Sequence, residues 1–264
     1  MKIELPLSVS IIAKNEEENI ARCLASLEGL SCEIILVYND CTDGTIKVAE
    51  SFGAKCIEHD WLGYIEQKNF ALSRCTHEWV LCLDADEALS HELRTSIINF
   101  LTSGIQNSNS CGASFNRCSY FLGRWIKHGD WYPDRKVLLS KKGKATWGGT
   151  NPHDKLNLDG PCLFLQGDLQ HFSYPSLRSL TEKTLHYSDI FLETNSTSLN
   201  FKPSIAPILL RPLWRFFRGY FLRLGILDGY AGFVIAFSTA YESMLKHGRL
   251  WELRRSNNKK SESK

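Results

Sequence analysis

Asp84 and Asp86 stand one residue apart, directly after Trp79-Val80-Leu81-Cys82-Leu83, an apolar run that reads as a buried strand. Alternate residues of an extended chain face the same way, so both carboxylates can converge if that geometry persists past the strand. Two such groups repel unless a cation lies between them. An oxygen-ligated Mg²⁺ or Mn²⁺, held by one or two carboxylates and the phosphates of a substrate, suits that charge. Read alone, the pair also suits a solvated acidic turn or a helix N-terminus ahead of Ala88-Leu89. Its surroundings favour the metal. Lys14-Asn15-Glu16, Asn39-Asp40 with Asp43, and Gln67-Lys68-Asn69 add amides, acids and a lysine in the same half of the chain, a set that suits a nucleotide diphosphate. Neither G-x-x-x-x-G-K-[ST] nor G-x-G-x-x-G is present, so metal and side chains must hold the phosphates.

The elements that position these residues alternate. Leu7 to Ala13 predicts a strand, followed by a helix with Ile20, Cys23, Leu24 and Leu27 on one face. Glu33 to Tyr38 predicts a second strand, with a helix carrying Ile46, Ala49 and Phe52. Ala54 to Glu58 and Trp79 to Leu83 are further strands, with helices over Ile65 to Leu72 and His91 to Leu101. Strand-then-helix repetition implies right-handed crossovers and an α/β fold with a mostly parallel central sheet and flanking helices. Such sheets are covered on both faces, so their strands are continuously apolar, and ligands bind outside the strands' carboxyl ends. Val80 to Leu83 fits, and its acids surface in that crevice.

Past Ser103 the pattern weakens. Ser103 to Ser110 reads as a loop, Val137 to Leu139 as a strand, Lys141 to Asn151 as Gly- and Lys-rich, and 177 to 195 as helix. Ser256 to Lys264 is polar and predicts disorder. The expected organisation is a βα half carrying the nucleotide-binding residues over 1–104, a second half of the same domain over 105–176, a helical extension over 177–255 and a tail over 256–264.

With 264 residues, 43% of them hydrophobic, the chain can build a large core. Its 31 basic and 29 acidic residues nearly balance, which excludes a uniformly basic nucleic-acid-binding surface. Nine scattered cysteines without a C-x-x-C pair read as reduced, mostly structural thiols. The opening MKIELPLSVSII carries Glu4 and Pro6 and no long apolar stretch, so a cytoplasmic location is expected.

The ordered series SVSIIAKNEEENIARCLASL, EIILVYNDCTDGT, EQKNFAL and WVLCLDADEALSHEL resembles the family 2 glycosyltransferases with the GT-A fold. HDWLGYIEQKNFAL, HGDWYPDRK and PLWRFFRGYFLRLGILDGYAGFVIA extend the likeness to the subgroup that builds lipopolysaccharide cores. The resemblance implies that Ala13, Asn15 and Glu16 line a nucleoside pocket, that Asn39 meets the base with Asp43 supporting its loop, and that Lys68 contacts the donor. It implies Asp84 near ribose and metal, and Asp86 on metal and diphosphate. The donor so implied is a UDP-sugar. One departure stands out: where family members usually write Asp, this chain has Tyr38, so the acid that meets the uracil imide is absent or displaced to Asp40. An amide can still pair with uracil.

Inverting transfer needs a base, which in the family comes from the second half of the domain. The family's His-acid pair is matched here by Asn151-Pro152-His153-Asp154, making Asp154 the expected base, with Glu87 and Asp134 as rivals and a loop-capping carboxylate as the plain alternative. His153 and His171 are each candidates for a third metal ligand, an orienting partner or a structural imidazole. Trp131, Tyr132 and Arg135 suit an acceptor sugar or its phosphate, or else a packed aromatic corner. Between 208 and 227, Arg211, Arg215, Arg218 and Arg223 interleave with Trp214, Phe216, Phe217, Tyr220 and Phe221, which on one helix suits the headgroup level of an anionic bilayer or packing on the catalytic domain. Gly229 to Tyr241 is apolar but falls short of the roughly 20 residues a span needs. Peripheral attachment to the inner face of the cytoplasmic membrane, with a glycolipid of the lipopolysaccharide-core kind as acceptor, is the expectation. Two other classes remain: a nucleotidyltransferase, which needs a Gly- and basic-rich first loop where this chain has KNEEEN, and a non-catalytic glycan- or membrane-binding module, which needs neither Asp84 nor Asp86.

Overall fold

The computed structural model describes residues 5–30, 33–102, 110–150, 153–195 and 205–262. It divides into two compact units, Met1–Cys118 with Asp134–Phe172, and Ser119–Pro133 with Ser173–Lys264. The loop expected over Ser103 to Ser110 lies, apart from Ser110, outside the described residues.

In chain order the first unit begins β1 (Leu7–Ala13), α1 (Glu17–Ala25), β2 (Glu33–Tyr38), α2 (Thr45–Ser51), β3 (Lys55–Glu58), α3 (Tyr64–Arg74) and β4 (Trp79–Asp84). It continues with β5 (Glu87–Leu89), α4 (His91–Thr102) and β6 (Gly112–Phe121), whose last residues belong to the second unit. After β7 (Arg124–Trp125), which pairs with β6, come β8 (Asp134–Lys141), β9 (Ala145–Thr150), β10 (His153–Leu158) and β11 (Cys162–His171).

The main sheet runs β3-β2-β1-β4-β8-β6-β11-β5. Its first four strands are parallel, with Val9 of β1 facing Ile34 of β2 on one side and Leu81 of β4 on the other. Their interiors are buried: Leu7, Val9, Ile11, Ile35, Leu36, Val80 and Leu81 are closed to solvent, with helix residues Ile20, Leu24, Ala71 and Ile97 packed in the same core. The β–α alternation therefore yields the parallel sheet expected of it, but only as far as β4. Beyond residue 110, strands follow one another without intervening helices long enough for a crossover, so β8 pairs antiparallel to β4 and to β6, and β11 antiparallel to β5. The Gly- and Lys-rich segment, for which sequence predicts no strand, contains β9 and forms a hairpin with β10.

The second unit holds a 3-10 turn at Gly129–Trp131 and the helices α5 (Leu177–Asn195), α6 (Ala206–Phe217) and α7 (Gly229–Glu262). A core of Phe121, Ile126, Leu180, Ala231 and Ile235 packs with Trp131 and Tyr174. The basic-aromatic stretch is not one helix. It leaves α6 through a π-helical turn at Arg218–Leu222, breaks at Leu224, whose φ is +59°, and passes a 3-10 turn at Gly225–Asp228. Glycines permit that corner: a Cβ on Gly232 would lie 1.8 Å from the carbonyl oxygen of Gly225. α7 also continues through Glu262, where composition predicts a disordered tail, because an established helix adds residues without new nucleation. All eight described cysteines are free; Cys23, Cys75, Cys82 and Cys118 are buried, whereas Cys162 is exposed despite its apolar neighbours.

Candidate active site

Lys68 is the hub of the site in the first unit. It lies on α3, and its Nζ reaches Asp84 Oδ1 at the end of β4 and Asp154 Oδ2 on β10, each at 2.9 Å. It also stands 4.5 Å from the centre of the Trp147 ring. The position of that ring is held locally: Asn69, next to Lys68 in sequence, accepts a hydrogen bond from the Trp147 backbone N–H at 2.9 Å and donates to the Trp147 carbonyl at 3.0 Å. Burial alone favours a neutral Lys68 amine, but the two carboxylates more than offset it and raise its pKa above the ordinary lysine value. The ammonium is charged throughout the neutral range.

The second acid of the pair engages a different partner. Asp86 Oδ2 lies 3.4 Å from His171 Nε2 at the end of β11, where the His171 backbone faces Glu87 across the β11–β5 pairing. Glu87 is buried, accepts the Asp84 backbone N–H at 3.0 Å, and meets Arg117 Nη1 at 3.3 Å. Arg117 in turn pairs with Asp134 at 2.9 Å, and Asp134 also meets Lys136 at 3.2 Å. Burial and the neighbouring Asp84 raise the Glu87 pKa, against the opposing pull of Arg117. Burial together with the same acids, Glu87, Asp86 and Asp84, raises the Cys23 thiol well above its usual value. Glu87 and Asp134, the rival bases, are thus both tied into the Arg117 network.

The loops after β1 and β2 are stitched to each other. Asn15, at φ +53°, accepts the Thr42 backbone N–H at 2.8 Å; the Glu16 N–H donates to Thr45 Oγ1 at 2.8 Å; and Glu17 accepts the Gly44 N–H at 2.8 Å. Asp43 accepts from the Thr45 hydroxyl and N–H and from the Glu17 N–H, and these bonds, the Thr45 hydroxyl first, lower its pKa. Ala13 is buried at the end of β1, and Asn39 is buried just past β2. The Glu16 carboxylate accepts from Asn19 at 2.9 Å.

Other expectations fall elsewhere. Arg135 is exposed, its guanidinium 4.1 Å above the Phe164 ring. Trp131 belongs to the second unit, where it is half-buried in an aromatic corner, stacked on Tyr174 at 4.6 Å and 5.5 Å from Phe121. His153 contributes backbone to β10; its side chain, with Asn151 and Pro152, lies outside the described residues. Arg117 and Trp147 were not singled out from sequence, and no local motif marks either.

Among the described residues no three His, Cys, Asp or Glu side chains converge as a closed metal cage. The carboxylates of Asp84 and Asp86 suit a hard divalent cation whose remaining ligands would come from substrate phosphates and water, because Mg²⁺ is usually held through only one or two protein carboxylates.

The sequence profile described as Glycosyl transferase family 2 matches residues 8–151. The chain belongs to that family. The match covers the residues from β1 through β9, including Asp84, Asp86 and Lys68, and stops before Asp154. The glycosyltransferase is 33% identical over 268 residues to "Uncharacterized glycosyltransferase RT0209" of Rickettsia typhi, covering 94% of this chain and 87% of the relative. It is 28% identical to "Lipopolysaccharide core biosynthesis glycosyltransferase LpsC" of Rhizobium meliloti, covering 92% of this chain and 94% of that one. Among solved structures, S. aureus TarS 1-349 in complex with UDP superposes with a TM-score of 0.49 and 15% identity, over 96% of this chain and 91% of its own.

Proposed function

We propose that this glycosyltransferase is a metal-dependent, inverting enzyme that moves a sugar from a UDP-sugar to a glycolipid acceptor of the lipopolysaccharide-core kind. The observation that carries the reading is Lys68, held between a carboxylate at the end of a parallel strand and a carboxylate on the β9–β10 hairpin, at 2.9 Å from each. Acids from two distant segments thereby flank one cation. The near full-length likeness to the Rhizobium protein, which is named for lipopolysaccharide core biosynthesis, supports the acceptor class. Buried Asn39, with Asp40 beside it, supplies an amide and an acid for a uracil edge.

In this reading Asn15, Glu16 and Asp43 shape the nucleoside pocket through the stitched loops, and Asp84 and Asp86 hold the cation, with His171 orienting Asp86. Bound there, Mg²⁺ or Mn²⁺ would supply positive charge to offset that building on the departing diphosphate. An incoming diphosphate competes with Asp154 for the Lys68 ammonium. Released from Lys68, Asp154 takes the proton of the acceptor hydroxyl as its oxygen bonds to the anomeric carbon, while the bond from that carbon to the phosphate oxygen breaks and its electron pair leaves with UDP. One displacement inverts the anomeric centre.

The test is a panel of sugar nucleotides assayed for turnover with and without Mg²⁺ or Mn²⁺. Asp86→Ala is expected to abolish metal-stimulated turnover with the fold retained, and Asp154→Asn to lower transfer about 10²–10⁴-fold while donor binding persists. Unchanged turnover in Asp86→Ala removes the metal assignment, and unchanged transfer in Asp154→Asn removes the base.

A further inference from the structure

Helix α6 has no buried residue, although every side chain on it except Arg211 and Arg215 is apolar. Leu210 is 64% exposed, Leu213 68% and Trp214 54%. On α7, Ala231, Ile235, Ala236 and Ala240 are buried, while Tyr230, Phe233, Phe237, Tyr241 and Met244 recur at three- and four-residue spacing and are exposed. Leu222, Leu224, Ile226 and Leu227 extend this surface through the turns between the helices, and they too are exposed. A helix apolar on more than one side belongs in a core or in lipid, and a contiguous exposed apolar patch marks a covering partner.

The charge of this region identifies that partner. Between 205 and 256 the chain carries eight Lys and Arg against three Asp and Glu, so the basic excess of a chain whose net charge is only +2 is gathered here. Several of these cations are used internally: Arg218 and Arg223 meet Asp130, Arg249 meets Asp189, and Lys246 meets Glu242. Arg215 has no acidic partner among the described residues, and Arg211 reaches only the Nε2 of His247, at 2.9 Å. Burial, with Arg211 and Lys246 beside it, lowers the His247 pKa, so at neutral pH the imidazole is uncharged and accepts the guanidinium N–H. Arg211, Trp214, Arg215, Glu242, Lys246 and His247 line a cleft of about 270 Å³ between α6 and α7. With Lys246 paired to Glu242, the two guanidinium groups of Arg211 and Arg215 leave the cleft net positive, a place for an anion.

We propose that α6, the turns after it and the exposed stripe of α7 form a docking surface for an anionic phospholipid bilayer. The leucines and aromatic rings enter the boundary of the acyl layer, and the cleft of Arg211, Arg215 and Lys246 receives a lipid phosphate. No single described helix is long and apolar enough to cross a membrane; Ala206–Leu222 and Gly225–Ser256 reach that length and hydropathy only as a pair, bent by 73° at their junction, and the cations on α6 and α7 favour the headgroup level over a span. A second copy seated on the same face would bring two basic surfaces together, whereas an anionic bilayer answers both the apolar area and the charge. The inference stands on the second unit alone and goes beyond the transfer reaction.

The full chain is sedimented with vesicles of phosphatidylcholine alone, or of phosphatidylcholine mixed with phosphatidylglycerol. It is expected to pellet with the anionic vesicles, to remain in solution with the neutral ones, and to be released as salt is raised. Arg211→Glu/Arg215→Glu should lower partitioning by about 25-fold or more at low ionic strength, and Leu213→Asp should lower it with the far-UV circular dichroism unchanged. Sugar-nucleotide hydrolysis in vesicle-free solution, unaffected by these variants, reads the transfer site separately. Equal pelleting with both vesicle types, salt-insensitive pelleting, or a charge-reversed protein that pellets like the parent overturns the proposal. So does a vesicle-free dimer that Leu213→Asp dissociates.

Discussion

Replacing Lys68 by Met keeps most of the side chain's length and apolar stem while deleting the charge shared by Asp84 and Asp154. Two contacts of 2.9 Å vanish, but they are unequal: the Asp84 side chain is 33% exposed and can be rehydrated, whereas that of Asp154 is only 12% exposed. Charge-assisted hydrogen bonds contribute about 1.5–3 kcal/mol each, and the exposed arm belongs at or below the low end of that range. Orphaning the buried carboxylate adds to the loss, since removing one partner of a buried ion pair typically costs about 3–5 kcal/mol. The contact with Trp147 adds about 0.5–1 kcal/mol. Lys68→Met is therefore expected to be less stable than the parent by about 4 kcal/mol at neutral pH. The sign with pH follows from the raised Lys68 pKa: the parent's advantage is fully present below the unfolded lysine value of about 10.4 and disappears only as pH climbs through the higher folded value. Urea unfolding should then give a deficit that is flat from about pH 6 to 9. In an Asp154→Asn background the same substitution should cost less by about 2 kcal/mol, because the buried carboxylate no longer needs its counter-charge. A deficit under about 1 kcal/mol, or the same deficit in both backgrounds, refutes the shared-cation description of the site.

Two further outcomes follow from the scaffold. Glu33 at the start of β2 accepts from the Ser8 hydroxyl and from the Thr76 N–H and hydroxyl; burial works to raise its pKa, but these bonds prevail and lower it. Its stabilisation is therefore present above the ordinary glutamate value and lost as pH falls through the depressed one, so Glu33→Gln should cost about 1–3 kcal/mol near pH 7 and almost nothing in acid, by urea midpoints across pH. A gap that persists in acid contradicts this. Gly167 on β11 has φ +97°, and a Cβ there would lie 2.3 Å from the Leu93 backbone nitrogen of α4, so Gly167→Ala should destabilise by about 2–4 kcal/mol and disturb the strand end that carries His171. An unchanged thermal midpoint would show that α4 can move away.

β1, β2 and β4 were legible because one physical requirement wrote them: a strand covered on both faces must be largely apolar, so Ile11, Leu36 and Leu81 announce themselves, and the acids that follow Leu83 stand out against them. The antiparallel half carries no such signature. β9 and β11 have exposed and buried positions in irregular order: Gly148 and Gly149 follow Trp147 in β9, and the apolar run Cys162 to Leu165 of β11 gives way to Gln166-Gly167-Asp168. The site divides along the same line. Local sequence could name Asp84 and Asp86, because they follow directly on a strand whose apolar run is visible, and Lys68 stood out as part of the polar Gln67-Lys68-Asn69 cluster on a helix. It could not show that the ammonium of Lys68 is shared with a carboxylate 86 residues later, because that meeting depends on α3 and β9 being clamped by the paired Asn69–Trp147 backbone bonds. Arg117 is hidden for the same reason: nothing around it marks a buried acid, and its role exists only once Glu87 and Asp134 arrive from separate strands. Period and residue type thus reveal where a functional group leaves its element, whereas its electrostatic partner is set by contacts between elements. That distinction bears on the base. In the proposed mechanism Asp154 differs from Glu87 and Asp134 in its counter-ion: those two share the bidentate guanidinium of Arg117, whereas Asp154 shares with Asp84 the single ammonium of Lys68, for which an incoming diphosphate would compete.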